Sequence, residues 1–128
     1  MFIEQPPEFV RKLYPRALWR MTPAEKKVYL TFDDGPIPEV TPWVLQQLDH
    51  YGVKATFFMV GDNIRKYPDV FRQVLESGHR IGNHTFHHLR GFEHASNRYL
   101  DDVSKAQDFI MEACSDVAND LLIDQALY

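Results

Sequence analysis

Alternation limits what this chain can fold into more than any other feature: short strand-like runs take turns with capped helical segments from residue 28 onward. Val28–Phe32 reads as a strand that stops at the turn residues Asp34-Gly35-Pro36. Thr41 offers an N-cap, with Pro42 at the first helical position, where a missing N–H costs nothing. Val44, Leu45, Leu48 and Tyr51 form an apolar stripe at helical spacing, and Gly52 suits the left-handed residue that closes a helix. Val53–Val60 is nearly continuous in hydrophobicity, as expected of a strand covered on both faces. Pro68 opens a second helix, with Val70, Phe71, Val74 and Leu75 on one face and Gly78 past its end. Arg80-Ile81-Gly82-Asn83 is a short third strand. A further helix is expected from Asn97 to Cys114, with Leu100, Val103, Ala106 and Ile110 turned inward. Strands separated by helices pair in parallel through crossovers. The expected class is therefore α/β, three parallel strands with flanking helices.

Residues 1–27 read as an irregular or short-helix lead-in, broken by Pro6, Pro7, Pro15 and Pro23, with Leu18 and Trp19 available to plug one end of the core. Residues 28–110 form the regular domain. Residues 111–128 form an acidic tail with Val117, Leu121 and Leu122 at helical spacing. The formal charge of −4, with Lys and Arg scattered singly, leaves no footprint for nucleic acid or an anionic membrane and favours a neutral or cationic substrate. A single cysteine, Cys114, excludes a disulfide framework and a thiolate metal site, and it reads as a small helix residue. The first residues carry no basic, apolar leader, and the longest apolar stretch, Ala55 to Val60, is too short to cross a bilayer. As written, the chain is expected to be cytoplasmic.

Chemistry concentrates in two segments, Thr31-Phe32-Asp33-Asp34-Gly35-Pro36 and His84-Thr85-Phe86-His87-His88. His84 and His88 stand at i and i+4, so one helical turn would aim both imidazoles the same way. Two imidazoles and one carboxylate make a three-ligand set for a divalent ion with coordination positions left open. The second carboxylate is then free to act as a base for water. Either segment alone has a bland reading, a surface turn or a pair of solvated histidines. Parallel strands bring both to one carboxyl edge of the sheet, where α/β proteins gather catalytic groups. His87 would point elsewhere on a helix and reads as a bystander, and His50, His79 and His94 read as surface residues.

Together the two segments resemble the first and second motifs of the polysaccharide deacetylases, the NodB-homology family. Lys54-Ala55-Thr56-Phe57-Phe58 and Gly78-His79-Arg80-Ile81-Gly82-Asn83 also look like that family's second and third strands. The resemblance implies a partial (β/α) barrel with Asp33 as general base and Asp34, His84 and His88 as metal ligands. It implies a divalent metal, zinc foremost, with cobalt or nickel as alternatives. The implied reaction is metal-assisted hydrolysis of the N-acetyl amide in glycans containing N-acetylglucosamine, of the chitin or peptidoglycan type.

The chain departs from the family pattern after Ile110. No Arg-Pro-Pro follows, no Trp follows Trp43, and no His follows His94. The expectation is a truncated or frame-disrupted member, weak or inactive because the later catalytic motifs are missing. A catalytically silent metal-binding or glycan-binding module is the alternative. A facial-triad iron oxygenase would use the same donors, but its usual β-rich patterning is absent. A sheet of three strands also leaves an apolar edge unpaired, so self-association through that edge is expected.

Overall fold

The computed structural model describes residues 7–17 and 26–126, with side chains up to residue 118. A short helix, α1 (Glu8–Leu13), precedes β1 (Thr31–Gly35), α2 (Val40–His50), β2 (Thr56–Met59), α3 (Gly61–Lys66), α4 (Pro68–Glu76), β3 (Arg80–Asn83) and α5 (Ser96–Ala126). The strands lie in the order β1-β2-β3, all parallel, as the alternation requires. The roles expected of Leu18 and Trp19 fall outside the described residues.

Both helix closures expected from glycine form. Gly52 has φ 63°, its N–H reaches Asp49 C=O at 2.9 Å, and Val53 N–H reaches Leu48 C=O at 2.8 Å. Gly78 has φ 70°, with the same pair of bonds to Leu75 at 2.8 Å and Val74 at 3.3 Å. These paired closures satisfy carbonyls that the helix end would otherwise orphan, and they turn the chain back toward the next strand.

Several boundaries differ from expectation. The first strand spans Thr31–Gly35, not Val28–Phe32, because its neighbour starts only at Thr56; pairing begins where Leu30 C=O accepts the Thr56 N–H at 3.0 Å. Val28 and Tyr29 remain exposed. The second strand is shorter than Val53–Val60, since the Gly52 closure consumes its start and Val60 becomes the N-cap of α3. Its burial alternates, so it is not equally covered on both faces. Helix α2 begins at Val40, with Glu39 instead of Thr41 at the N-cap position and no side-chain capping bond; Thr41 lies inside the helix, where its Oγ1 accepts the N–H of Ile37 in the preceding turn at 2.9 Å. Tyr51, placed in the apolar stripe, is exposed, because the helix ends before it can turn inward. Helix α3 has no counterpart among the expected elements.

The core sits between the sheet and helices α2 to α5. Met59 and Val74 are fully buried, Ile64 and Phe71 nearly so, and Phe32 stacks on Phe57 at 5.1 Å. Side chains of this size each contribute about 1.5–3 kcal/mol when fully buried. Helix α5 runs unbroken through the segment expected to diverge at residue 111, and it buries Ala106, Ile110 and Val117. Leu100 is exposed instead of inward, because the helix docks only from Asp102 onward on that face.

Candidate metal centre

The site begins with an irregularity in β1. Phe32 pairs with Phe57 and Gly35 with Met59, so β1 spends three steps against two on β2. The extra residue is a β-bulge, and the adjacent carboxylates occupy it. In a regular strand Asp33 and Asp34 would point to opposite faces; a bulge re-aims one of them. Asp34 takes φ 68°, a left-handed backbone that short polar residues tolerate better than most. Its C=O accepts a hydrogen bond from Asn63 Nδ2 at 2.8 Å, which ties the bulge to α3.

His84 follows β3 directly, its N–H bonded to Met59 C=O at 3.0 Å. The segment from His84 to His88 is not a helical turn, which corrects the i, i+4 reading. It is a loop with Thr85 at φ 64° and His88 at φ 57°. Asn83 Oδ1 accepts the Thr85 N–H at 2.9 Å, and Thr85 Oγ1 accepts the Leu89 N–H at 3.0 Å. These local side-chain bonds replace helical ones. The loop nevertheless brings the two rings to 5.0 Å between centroids.

The carboxylate meets both imidazoles. Asp34 Oδ1 lies 3.1 Å from His84 Nε2 and 2.9 Å from His88 Nε2. One ligand atom from each of the three residues lies within 4.8 Å of the other two. Ligands held about 2.0–2.1 Å from a tetrahedral ion stand about 3.3 Å apart, so the donor set and its spacing fit a divalent ion of the zinc type. The three side chains are 33% to 60% exposed, which leaves the cluster open to water. A cleft of about 390 Å³ opens there, lined by Asp34, Ile37, Asn63, His87 and His88 among others. Asp33 is exposed on the bulge beside Asp34, outside the cluster of three.

His87 is not the bystander expected. Its Nδ1 lies 2.5 Å from Asp102 Oδ1, while Asp102 Oδ2 accepts the N–H groups of Phe86 at 2.8 Å and His87 at 2.9 Å. Burial pushes the Asp102 carboxyl upward, but the bonds from His87 and Phe86 outweigh it and hold the group below the ordinary carboxylate range. The sequence signal was a carboxylate one turn before Ala106, on the buried stripe of α5. His79 is likewise not a surface residue: it is buried, and its Nδ1 accepts the Ala55 N–H at 3.2 Å. Burial, with Lys54 nearby, holds its pKa below the ordinary histidine value. His50 is exposed, as expected. Among the described residues no helix is long and apolar enough to cross a membrane.

The profile of the polysaccharide deacetylase family matches residues 20–122. A peptidoglycan-N-acetylglucosamine deacetylase of Bacillus cereus is 41% identical over 91 residues, covering 71% of this chain and 43% of that protein. A chitooligosaccharide deacetylase of Azorhizobium caulinodans is 40% identical over 95 residues, covering 74% and 45%. The structure of a family 4 acetyl xylan esterase from Clostridium thermocellum, in complex with a cobalt ion, matches with a TM-score of 0.62 at 33% identity, covering 68% of this chain and 43% of that one. The chain thus spans less than half the length of these curated relatives. A profile match over most of its residues, on the three-stranded parallel core just described, shows that the chain belongs to the polysaccharide deacetylase family.

Proposed function

We propose that this chain carries the metal-and-base half of a deacetylase acting on N-acetylglucosamine units of chitin- or peptidoglycan-type glycans. The observation that carries the reading is the convergence of Asp34, His84 and His88, whose ligand atoms lie within 4.8 Å of one another, at a cleft that Asp34 and His88 line. These three residues would hold the divalent ion, zinc by donor type, with cobalt or nickel as alternatives. When bound, such an ion supplies Lewis acidity toward a carbonyl and eases deprotonation of water.

The chain's own residues do the rest. Asp33, exposed beside Asp34, takes a proton from the water that adds to the amide carbon. The carbon–nitrogen bond then breaks, the nitrogen receives a proton, and acetate and a free amine leave. Asn63 holds the bulge that separates the roles of the two carboxylates.

A second reading is a catalytically silent metal- or glycan-binding module, since Asp34, His84 and His88 can hold an ion without any part played by Asp33. Acetate release from N-acetylglucosamine oligomers, measured on zinc- and cobalt-loaded protein, separates the two. Release that Asp33→Asn abolishes supports the deacetylase. Release that persists in Asp33→Asn, or is absent from both proteins, supports the silent module.

A further inference from the structure

We propose that Asp102 is a positioning residue for the metal centre: from α5, its carboxylate fixes the loop that presents His84 and His88. The proposal rests on the metal-centre reading above. The Asp102 side chain is 7% exposed, and both oxygens are used: Oδ2 takes the Phe86 and His87 amides, and Oδ1 meets the His87 ring. Those two amides lie between the two ligating histidines in the chain. Because the loop is not helical, no carbonyl of its own turn is available to them. A buried amide left without an acceptor keeps its full desolvation penalty. Asp102 therefore meets the backbone demand that arises because His84 and His88 are brought together without a helix.

The opposite edge of the loop is held by different groups. The carbonyls of Thr85 and Phe86 accept the N–H groups of Gly61 at 3.0 Å and Asp62 at 2.9 Å, at the start of α3. Phe86 is buried edge-on to Phe109 of α5. Asn83, just before His84, donates to Val103 C=O of α5 at 2.8 Å. Helix α3 thus grips the loop carbonyls and α5 its amides. The α5 grip on the amides passes through one side chain, and residues that orient metal ligands typically change affinity by about 10- to 100-fold when removed.

Cobalt titration of the full chain, followed by calorimetry and the visible spectrum of bound Co²⁺, tests this. Asp102→Ala should weaken Co²⁺ binding by about 10- to 100-fold and alter the spectrum. Asp102→Asn, whose oxygen still accepts the two amides and whose NH₂ faces His87 Nδ1, should bind nearly as the parent does. Asp101→Ala, which removes an exposed charge one residue away, should not change binding. Parent-like affinity and spectrum in Asp102→Ala overturn the proposal. Equal losses in Asp102→Asn or Asp101→Ala also overturn it, because they would make the effect one of charge. Should Asp102→Ala not fold, Asp102→Glu keeps the charge and displaces the acceptors by one methylene; weakened binding supports positioning and parent-like binding overturns it. A parent that binds no Co²⁺ overturns the metal-centre reading and this proposal together, whereas a parent that binds beside an unaffected Asp102→Ala overturns only the latter.

Discussion

Asp34 Oδ1 lies 2.9 Å from His88 Nε2, and both residues stand on left-handed backbone, at φ 68° and 57°. Strained residues of this kind cost about 1–3 kcal/mol each and persist where the surroundings over-determine them. Here the two strained positions face each other across the proposed ion. A ligand that binds only the folded state stabilises it by about 2.7 kcal/mol at a hundred times its dissociation constant. Zinc or cobalt should therefore raise the thermal midpoint, chelator should reverse the rise, and His84→Ala/His88→Ala should show none. Scanning fluorimetry decides it; a midpoint indifferent to both ions would contradict the metal centre.

Gly61 is where α3 meets the histidine loop. A Cβ placed there would come 2.5 Å from Phe86 Cδ2. Phe86 is buried against Phe109, so its ring has little room to yield. Gly61→Ala should destabilise the protein by about 1–3 kcal/mol, the usual range for overpacking. It should also weaken Co²⁺ binding, because the ring it displaces belongs to the loop between the two ligands. Urea denaturation gives the first quantity and cobalt titration the second; unchanged stability would mean the loop moves freely.

His79 sets an acid-side limit on stability. Its pKa is held below the ordinary value of 6.5 by burial, with Lys54 contributing, so the unfolded chain takes up this proton before the folded one does. The unfolded state binds more protons below that value, and stability falls as the pH drops through it. Above it, His79 contributes no pH dependence. His79→Asn keeps an acceptor for the Ala55 N–H without a titrating ring, and should flatten this part of the profile. Urea midpoints between pH 7.5 and 5 in the two proteins check it; parallel curves would remove His79 as the cause.

How legible each part was follows from what holds it. The parallel order and both glycine closures could be read because they depend on local pattern and on left-handed φ at Gly52 and Gly78. Asp34, His84 and His88 could be named, but not the way they converge. The helical turn expected of His84 to His88 gives way to tertiary partners, α3 amides and the Asp102 carboxylate, that no local spacing announces. Asp102 itself lay in plain view on the buried stripe of α5, masked by its neighbours Leu100 and Val103. The bulge at Asp33-Asp34 was invisible because a mismatch of register belongs to two strands at once. Helix α3 was missed because its first residue is Gly61 and no side chain caps it.

The sheet edges give a last prediction. Among the described residues β1 pairs only with β2, and the chain entering it exposes Val28 and Tyr29, at 84% and 62%. Helix α5 packs against β3, whereas no strand among the described residues pairs with the outer edge of β1. Natural sheets blunt such edges with charge, most often Lys. The 128-residue chain should therefore associate as its concentration rises, and Thr31→Lys, a charge at the exposed first residue of β1, should shift it toward monomer. Sedimentation velocity over a hundredfold concentration range measures this directly. A monomer throughout would show that β1 is covered in solution, and an association untouched by Thr31→Lys would place the contact elsewhere.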